Sequence, residues 1–134
     1  MKNKVTIHQF DPVIYPRKLW IVSTKDEKII KNNFTERDGK EMVFEDSIGN
    51  EPIASVISCT QKGSGFYGFL IWIQDNKKFD VGSFAHESVH VASQMFYDMG
   101  MQMGFTDGRD EHYAYLVGWI ADCINQVKTN KFKD

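Results

Sequence analysis

The spacing of apolar and polar residues changes character along this chain. Residues 4–10 alternate and are rich in β-branched side chains, the pattern of a strand. Asp11-Pro12 and Tyr15-Pro16 then break the chain into a loop. Leu19-Trp20-Ile21-Val22 is a short strand, apolar throughout. Ser23 or Thr24 is placed to cap a helix from Lys25 to about Asn33, with Ile29, Ile30 and Phe34 on its buried side. The polar stretch from Asn33 to Gly39 ends that helix. A strand over 41–45, a turn at 47–50 and a strand over 53–60 follow. Residues 61–65, Gln-Lys-Gly-Ser-Gly, read as a hairpin connection into a strand over 66–73 that is apolar on both faces. After a turn at 75–78 the period lengthens. Asp80 suits the N-cap of a helix running to about Met99, with Gly100 as its stop. Thr106 or Asp107 caps a last helix over about 109–127. Its apolar positions, Tyr115, Leu116, Trp119, Ile120, Cys123, Ile124 and Val127, recur at three and four. Strands and one helix come first and two long helices last, which predicts an α+β domain with a small mixed or antiparallel sheet packed on the first long helix.

The length of 134 residues fits a single domain, sheet-rich over about 1–79 and helical over about 80–128. A net charge of −2, without a lysine- or arginine-rich helix face, argues against a nucleic-acid partner. Lys128, Lys131 and Lys133 form a short basic tail that reads as a solvated end. No apolar run reaches membrane-spanning length. The N-terminus has a basic start with no apolar segment behind it, so it is no secretory signal, and a cytoplasmic location is expected. Cys59 and Cys123 lie in apolar surroundings without paired spacing and read as free core thiols.

The chemistry concentrates at His86-Glu87-Ser88-Val89-His90. Histidines four apart share one face of a helix, one turn above the other. Two imidazoles so placed can fill two corners of a tetrahedral zinc site. Glu87 is turned about 100° from His86, so it can face a water held by the metal without being a ligand. The bland alternative is a solvated helix face carrying two histidines by chance. Phe84, Val89, Val91, Ala92, Met95, Phe96 and Met99 surround the motif, however, and a helix apolar on most sides is buried. Polar groups on a buried helix need partners, and a metal is the most economical one. His8 reads as a surface or structural histidine. The methionines at 95, 99, 101 and 103 read as packing.

A catalytic zinc usually takes three protein ligands and leaves one position open. Continuing the motif as His-x-x-Gly-x-x-His fails, because the corresponding positions are Ser93 and Phe96. Glu111, at the start of the last helix, would come beside the motif if the two helices form an antiparallel hairpin. His112 is its rival, since adjacent helix positions point about 100° apart and only one can face the metal. Glu111 could equally be an acidic residue that favours a helix N-terminus. The set His86, Glu87, His90 and Glu111, with Glu111-x-x-Ala114-Tyr115, resembles the gluzincin class of zinc metallopeptidases, over residues 66–130. The run Ala114-Tyr115-Leu116-Val117-Gly118-Trp119-Ile120 is also similar to small metallopeptidases of phages and prophages.

The resemblance implies a zincin-like fold with one zinc per chain, held by His86, His90 and Glu111. It implies a peptide or protein substrate. Glu87 would be the general base toward a zinc-held water, and Tyr113 or Tyr115 could donate to the oxyanion. The strand over 66–73 would stand where gluzincins keep an edge strand, with which an extended peptide could pair if its edge is free. The chain departs from the thermolysin-like pattern in carrying Tyr115 where an aspartate supports a ligand histidine. Asp107, Asp110 or a backbone carbonyl would take that part. Two other classes stay open: a non-catalytic, zinc-stabilised domain, and a phage-type interaction module with an aromatic surface.

Overall fold

The computed structural model describes residues 4–44 and 52–133 and is α+β, with a five-stranded mixed sheet and three helices. It divides into two compact units, Met1–Phe79 and Asp80–Asp134, at the point where the period of the apolar pattern changes.

The first unit carries strands β1 (His8–Phe10) and β2 (Lys18–Ser23), helix α1 (Glu27–Asn33), then β3 (Phe34–Thr35), β4 (Ala54–Gln61) and β5 (Tyr67–Ile73). The sheet order is β1-β2-β5-β4-β3. β2 and β5 pair in parallel, Leu19 opposite Phe69 and Ile21 opposite Ile71, and every other pairing is antiparallel. Leu19 to Val22 and Gly68 to Ile73 are buried without a break, which explains why both runs are apolar on both faces. A free edge on the 66–73 strand is not found: β5 is hydrogen-bonded to β2 on one side and β4 on the other. The edges fall to β1 and β3, of 3 and 2 residues, and edges that short resist pairing with other chains.

One core cluster of this unit joins Trp20 and Val22 of β2, Leu70 and Trp72 of β5, Cys59 of β4, Ile30 of α1, Phe34 and Met42. Both indoles are satisfied there, Trp20 Nε1 donating to Gln9 Oε1 at 2.9 Å and Trp72 Nε1 to the Thr24 carbonyl at 2.8 Å. Cys59 is a free thiol, and burial pushes it up to about 12. His8 on β1 is half-buried, and that burial lowers its imidazole from the ordinary range.

Several local expectations shift. The strand at 4–10 shortens to His8–Phe10. The cap of α1 is Asp26, not Ser23 or Thr24: its carboxylate accepts from the Lys28 N–H at 3.0 Å, while Thr24 Oγ1 accepts from Asp26 N. Phe34 leaves the helix to open β3, because pairing with Gln61 outweighs one more helical residue. Residues 41–44 form no strand, and Glu45 with the expected turn at 47–50 lies outside the described residues.

The second unit is α2 (Val81–Asp98) and α3 (Glu111–Thr129), packed on each other. Asp80 caps α2 as expected, accepting from Ser83 N and Oγ, each at 3.0 Å. Gly100, at φ 70°, follows its end. The cap of α3 is Asp110 rather than Thr106 or Asp107, and it makes no side-chain cap bond. The tail stays exposed at Lys131 and Lys133 as expected, yet it makes contacts. Lys133 Nζ pairs with Asp122 at 2.9 Å, and its N–H donates to Gln126 Oε1. Cys123 is a free, buried thiol, which burial pushes up to about 12. Among the described residues no helix is long and apolar enough to cross a membrane.

At Gly68 of β5 the backbone of β2 leaves no room for a side chain: a Cβ there would collide with the Lys18 carbonyl. Gly68→Ala is therefore expected to destabilise the protein by about 1–3 kcal/mol, the usual cost of forcing extra volume into a packed region. Urea denaturation checks it, and an unchanged midpoint would contradict the close approach.

Candidate metal centre

Helix α2 buries a stripe at Phe84, Glu87, Ser88, Val91, Ala92, Met95 and Phe96, spaced by threes and fours. Its exposed positions include His86, Val89, His90, Ser93 and Tyr97, and none of them is Asp, Glu, Lys or Arg. The burial expected on most sides of this helix is therefore not found: the motif straddles the boundary, with two imidazoles on a solvated face and the carboxylate between them turned inward.

The two rings meet edge to face, centroids 4.6 Å apart, with Nε2 of His86 and Nε2 of His90 at 3.1 Å. That separation can be compared with what a metal would ask for. Zn–N bonds of about 2.0–2.1 Å at a tetrahedral angle put two ligand nitrogens about 3.3 Å apart. The pair thus fits two corners of a zinc site with the helix as it stands. Among the described residues, neither imidazole hydrogen-bonds to anything but the other. Asp107 and Asp110, expected to support a histidine, bond to neither ring.

Glu87 is 9% exposed. Its Oε1 lies 3.9 Å from His86 Nε2, too long for a hydrogen bond. No donor among the described residues satisfies this carboxylate. Burial pushes its pKa above the usual carboxylate value, and His86 and His90 pull back against that. Among the described residues no buried side-chain oxygen lacks a partner, so the unbonded carboxylate oxygens still reach solvent.

The other candidates lie on α3. Glu111, His112 and Tyr115 are exposed, Tyr115 by 75%. Among the described residues no group of three or more His, Cys, Asp or Glu side chains is gathered closely enough to hold a metal ion, so Glu111 does not join the histidines in this conformation. Tyr113 is the residue that turns to α2. Its hydroxyl lies 2.8 Å from Ser93 Oγ and donates to the Val89 carbonyl at 3.3 Å, and its ring meets Phe96 at 5.5 Å. Glu111, two residues earlier, is turned about 200° from Tyr113. It stands on the exposed side of α3, as the histidines stand on the exposed side of α2. Ser93 and the Val89 carbonyl were not visible as partners in the sequence. Ser93 is an ordinary helix-surface residue, and its contact lies 20 positions away.

Glu87 generates a stability prediction. A carboxyl whose pKa is raised on folding binds its proton more tightly in the folded state. Its burial then costs nothing below the ordinary carboxylate pKa and destabilises increasingly as pH rises through the raised value. Metal-free Glu87→Gln is therefore expected to be more stable than the parent at neutral pH, with the gain vanishing in acid. Paired denaturation curves at the two pH values check this, and a variant less stable at neutral pH would refute it.

No family model matches the chain, and no curated protein or solved structure matches it either.

Proposed function

We propose that this chain is a zinc-dependent metallopeptidase of the gluzincin-like kind, with His86, His90 and Glu111 as ligands and Glu87 as general base. The observation that carries the reading is the nearly buried Glu87 carboxylate, without a hydrogen-bond donor, between two exposed imidazoles whose Nε2 atoms converge to 3.1 Å. Glu111 is proposed as third ligand because it heads α3 two residues before Tyr113, which is moored on the turn that carries His90.

Zinc, when bound, supplies a Lewis acid that polarises the scissile carbonyl and acidifies water. The chain's own part is to hold and move a proton. Glu87 takes it at a carboxylate oxygen and returns it to the leaving amine, a task suited to a carboxyl whose pKa is raised. The peptide as substrate rests on the resemblance of the motif, as does the zincin-like arrangement of sheet and helix. The interior place of β5 means that a substrate would not be held by pairing with that strand. A non-catalytic interaction module is the second reading, favoured by Glu111 standing apart from the histidines and leaving, among the described residues, no group of three or more His, Cys, Asp or Glu able to hold an ion.

Elemental analysis of protein purified without chelator is expected to find about one zinc per chain. His86→Ala, His90→Ala and Glu111→Ala are expected to weaken binding strongly, and His112→Ala is not. Glu87→Gln should keep the metal and lose about a hundredfold or more in cleavage of any peptide the parent cuts from a mixed library read by mass spectrometry. A folded protein that takes up no added zinc overturns the metal site. Equal cleavage by parent and Glu87→Gln overturns the role of Glu87, and cleavage by neither leaves the non-catalytic reading in front.

A further inference from the structure

We propose that the hollow between the 11–17 loop and the start of β5 is a binding site for a small aromatic carboxylate. It lies within the first unit and does not depend on the zinc reading above.

The hollow has a volume of about 270 Å³, near the lower end for ligand pockets, so its occupant is a small molecule. Val13, Tyr15, Phe66 and Tyr67 give it an apolar wall, which suits a flat apolar body. Its charged residues choose the sign. Two cations, Arg17 and Lys18, line it against one carboxylate, Asp11. Lys18 Nζ is paired with Asp11 Oδ2 at 2.7 Å. The lining therefore keeps one positive charge in excess. A carboxylate balances that charge, whereas a phosphate group, at about −1.5 to −2, overbalances it.

Arg17 is held ready for such a group. Its guanidinium lies over the Tyr67 ring, 4.9 Å from the centroid, and its Nη1 donates to the Pro16 carbonyl at 2.8 Å. Stacking uses the face of a guanidinium and none of its N–H groups, and the planar fork matches the two oxygens of a carboxylate. The ring beneath is fixed as well. Arg37 lies over it at 4.3 Å, and the Tyr67 hydroxyl is hydrogen-bonded to Ser58 Oγ at 2.8 Å. Little ordering is thus left for a ligand to impose.

Val13 is a second, independent observation. It is β-branched yet sits at φ 65°, in the left-handed region such residues avoid. Asp11 Oδ1 holds it there, accepting its N–H at 2.8 Å. The result is an apolar side chain, 85% exposed, on the rim of the hollow. Glycine would make the same turn without strain. Strain of this kind clusters at ligand clamps.

Titration with naphthoate, followed by amide NMR, is expected to move the Val13, Arg17, Phe66 and Tyr67 resonances saturably. Arg17→Gln is expected to weaken binding about tenfold or more, as loss of a charge-assisted hydrogen bond does. Naphthamide, the same body without the charge, should bind the parent more weakly than naphthoate by a similar factor. Val13→Gly separates binding from folding: it relieves the strain, so the melting temperature should hold or rise while naphthoate affinity falls. Resonances that do not move overturn the proposal. So does equal naphthoate affinity in parent and Arg17→Gln, or equal affinity of the parent for naphthoate and naphthamide. Tighter binding of inorganic phosphate than of naphthoate overturns the choice of carboxylate. A uridine oligonucleotide that binds more tightly than naphthoate, and loses that affinity in Arg17→Gln, overturns it in favour of a single-stranded nucleic acid. Should Arg17→Gln fail to fold, Arg17→Lys, which keeps the charge and loses the fork, decides by the same comparison.

Discussion

Helix α2 has to bury one side and leave the other open, and the candidate site depends on where that line falls. The spacing of Phe84, Ser88, Val91, Ala92 and Met95 sets the buried stripe. Once it is set, His86 and His90 must be exposed together, because residues four apart share a face. Glu87, about 100° from His86, must then turn inward. The inward acid and the converging imidazoles are thus one consequence of helical geometry. Partial burial raises the carboxyl's pKa while the two imidazoles pull it back.

The two units solve the burial problem in different ways. In the first, two parallel strands are buried on both faces and the antiparallel neighbours run outward to edges of 3 and 2 residues. Gly68 leaves room for the Lys18 backbone of β2, which a Cβ would strike. In the second, two long helices share a seam in which polar contacts accompany the apolar ones. Tyr113 is the clearest case, its ring against Phe96 and its hydroxyl on the Val89 carbonyl and Ser93. A tyrosine at such a seam fixes a distance as well as filling space, because its hydrogen bonds are directional.

Much of this was legible in the residues themselves. The 66–73 run announced a strand buried on both faces, and Asp80 announced the start of α2, because a carboxylate two or three positions before free N–H groups has one obvious task. The two histidines were legible as a pair for the same local reason: a spacing of four along a helix decides their proximity without help from the rest of the chain. Local competition explains the misses. Asp26 outdid Ser23 and Thr24 as a cap, and Phe34 was drawn into pairing with Gln61, a partner 27 positions away that no local pattern reveals.

Sequence by itself thus determined what one helix or one strand decides alone: the start of α2 and the placing of both imidazoles on one face, though it expected that face to be buried and the structure leaves it exposed, with Glu87 turned inward. Tertiary structure decided what depends on two elements meeting. It put β5 between β2 and β4, so that this strand has no free edge, because sheet order follows from long-range pairing and not from local composition. It also set the rotation of α3 about its axis. That rotation turns Tyr113 onto α2 and leaves Glu111 on the exposed side, because Leu116, Ile120, Cys123 and Ile124 have to be buried and the residue 200° from Tyr113 cannot share their face.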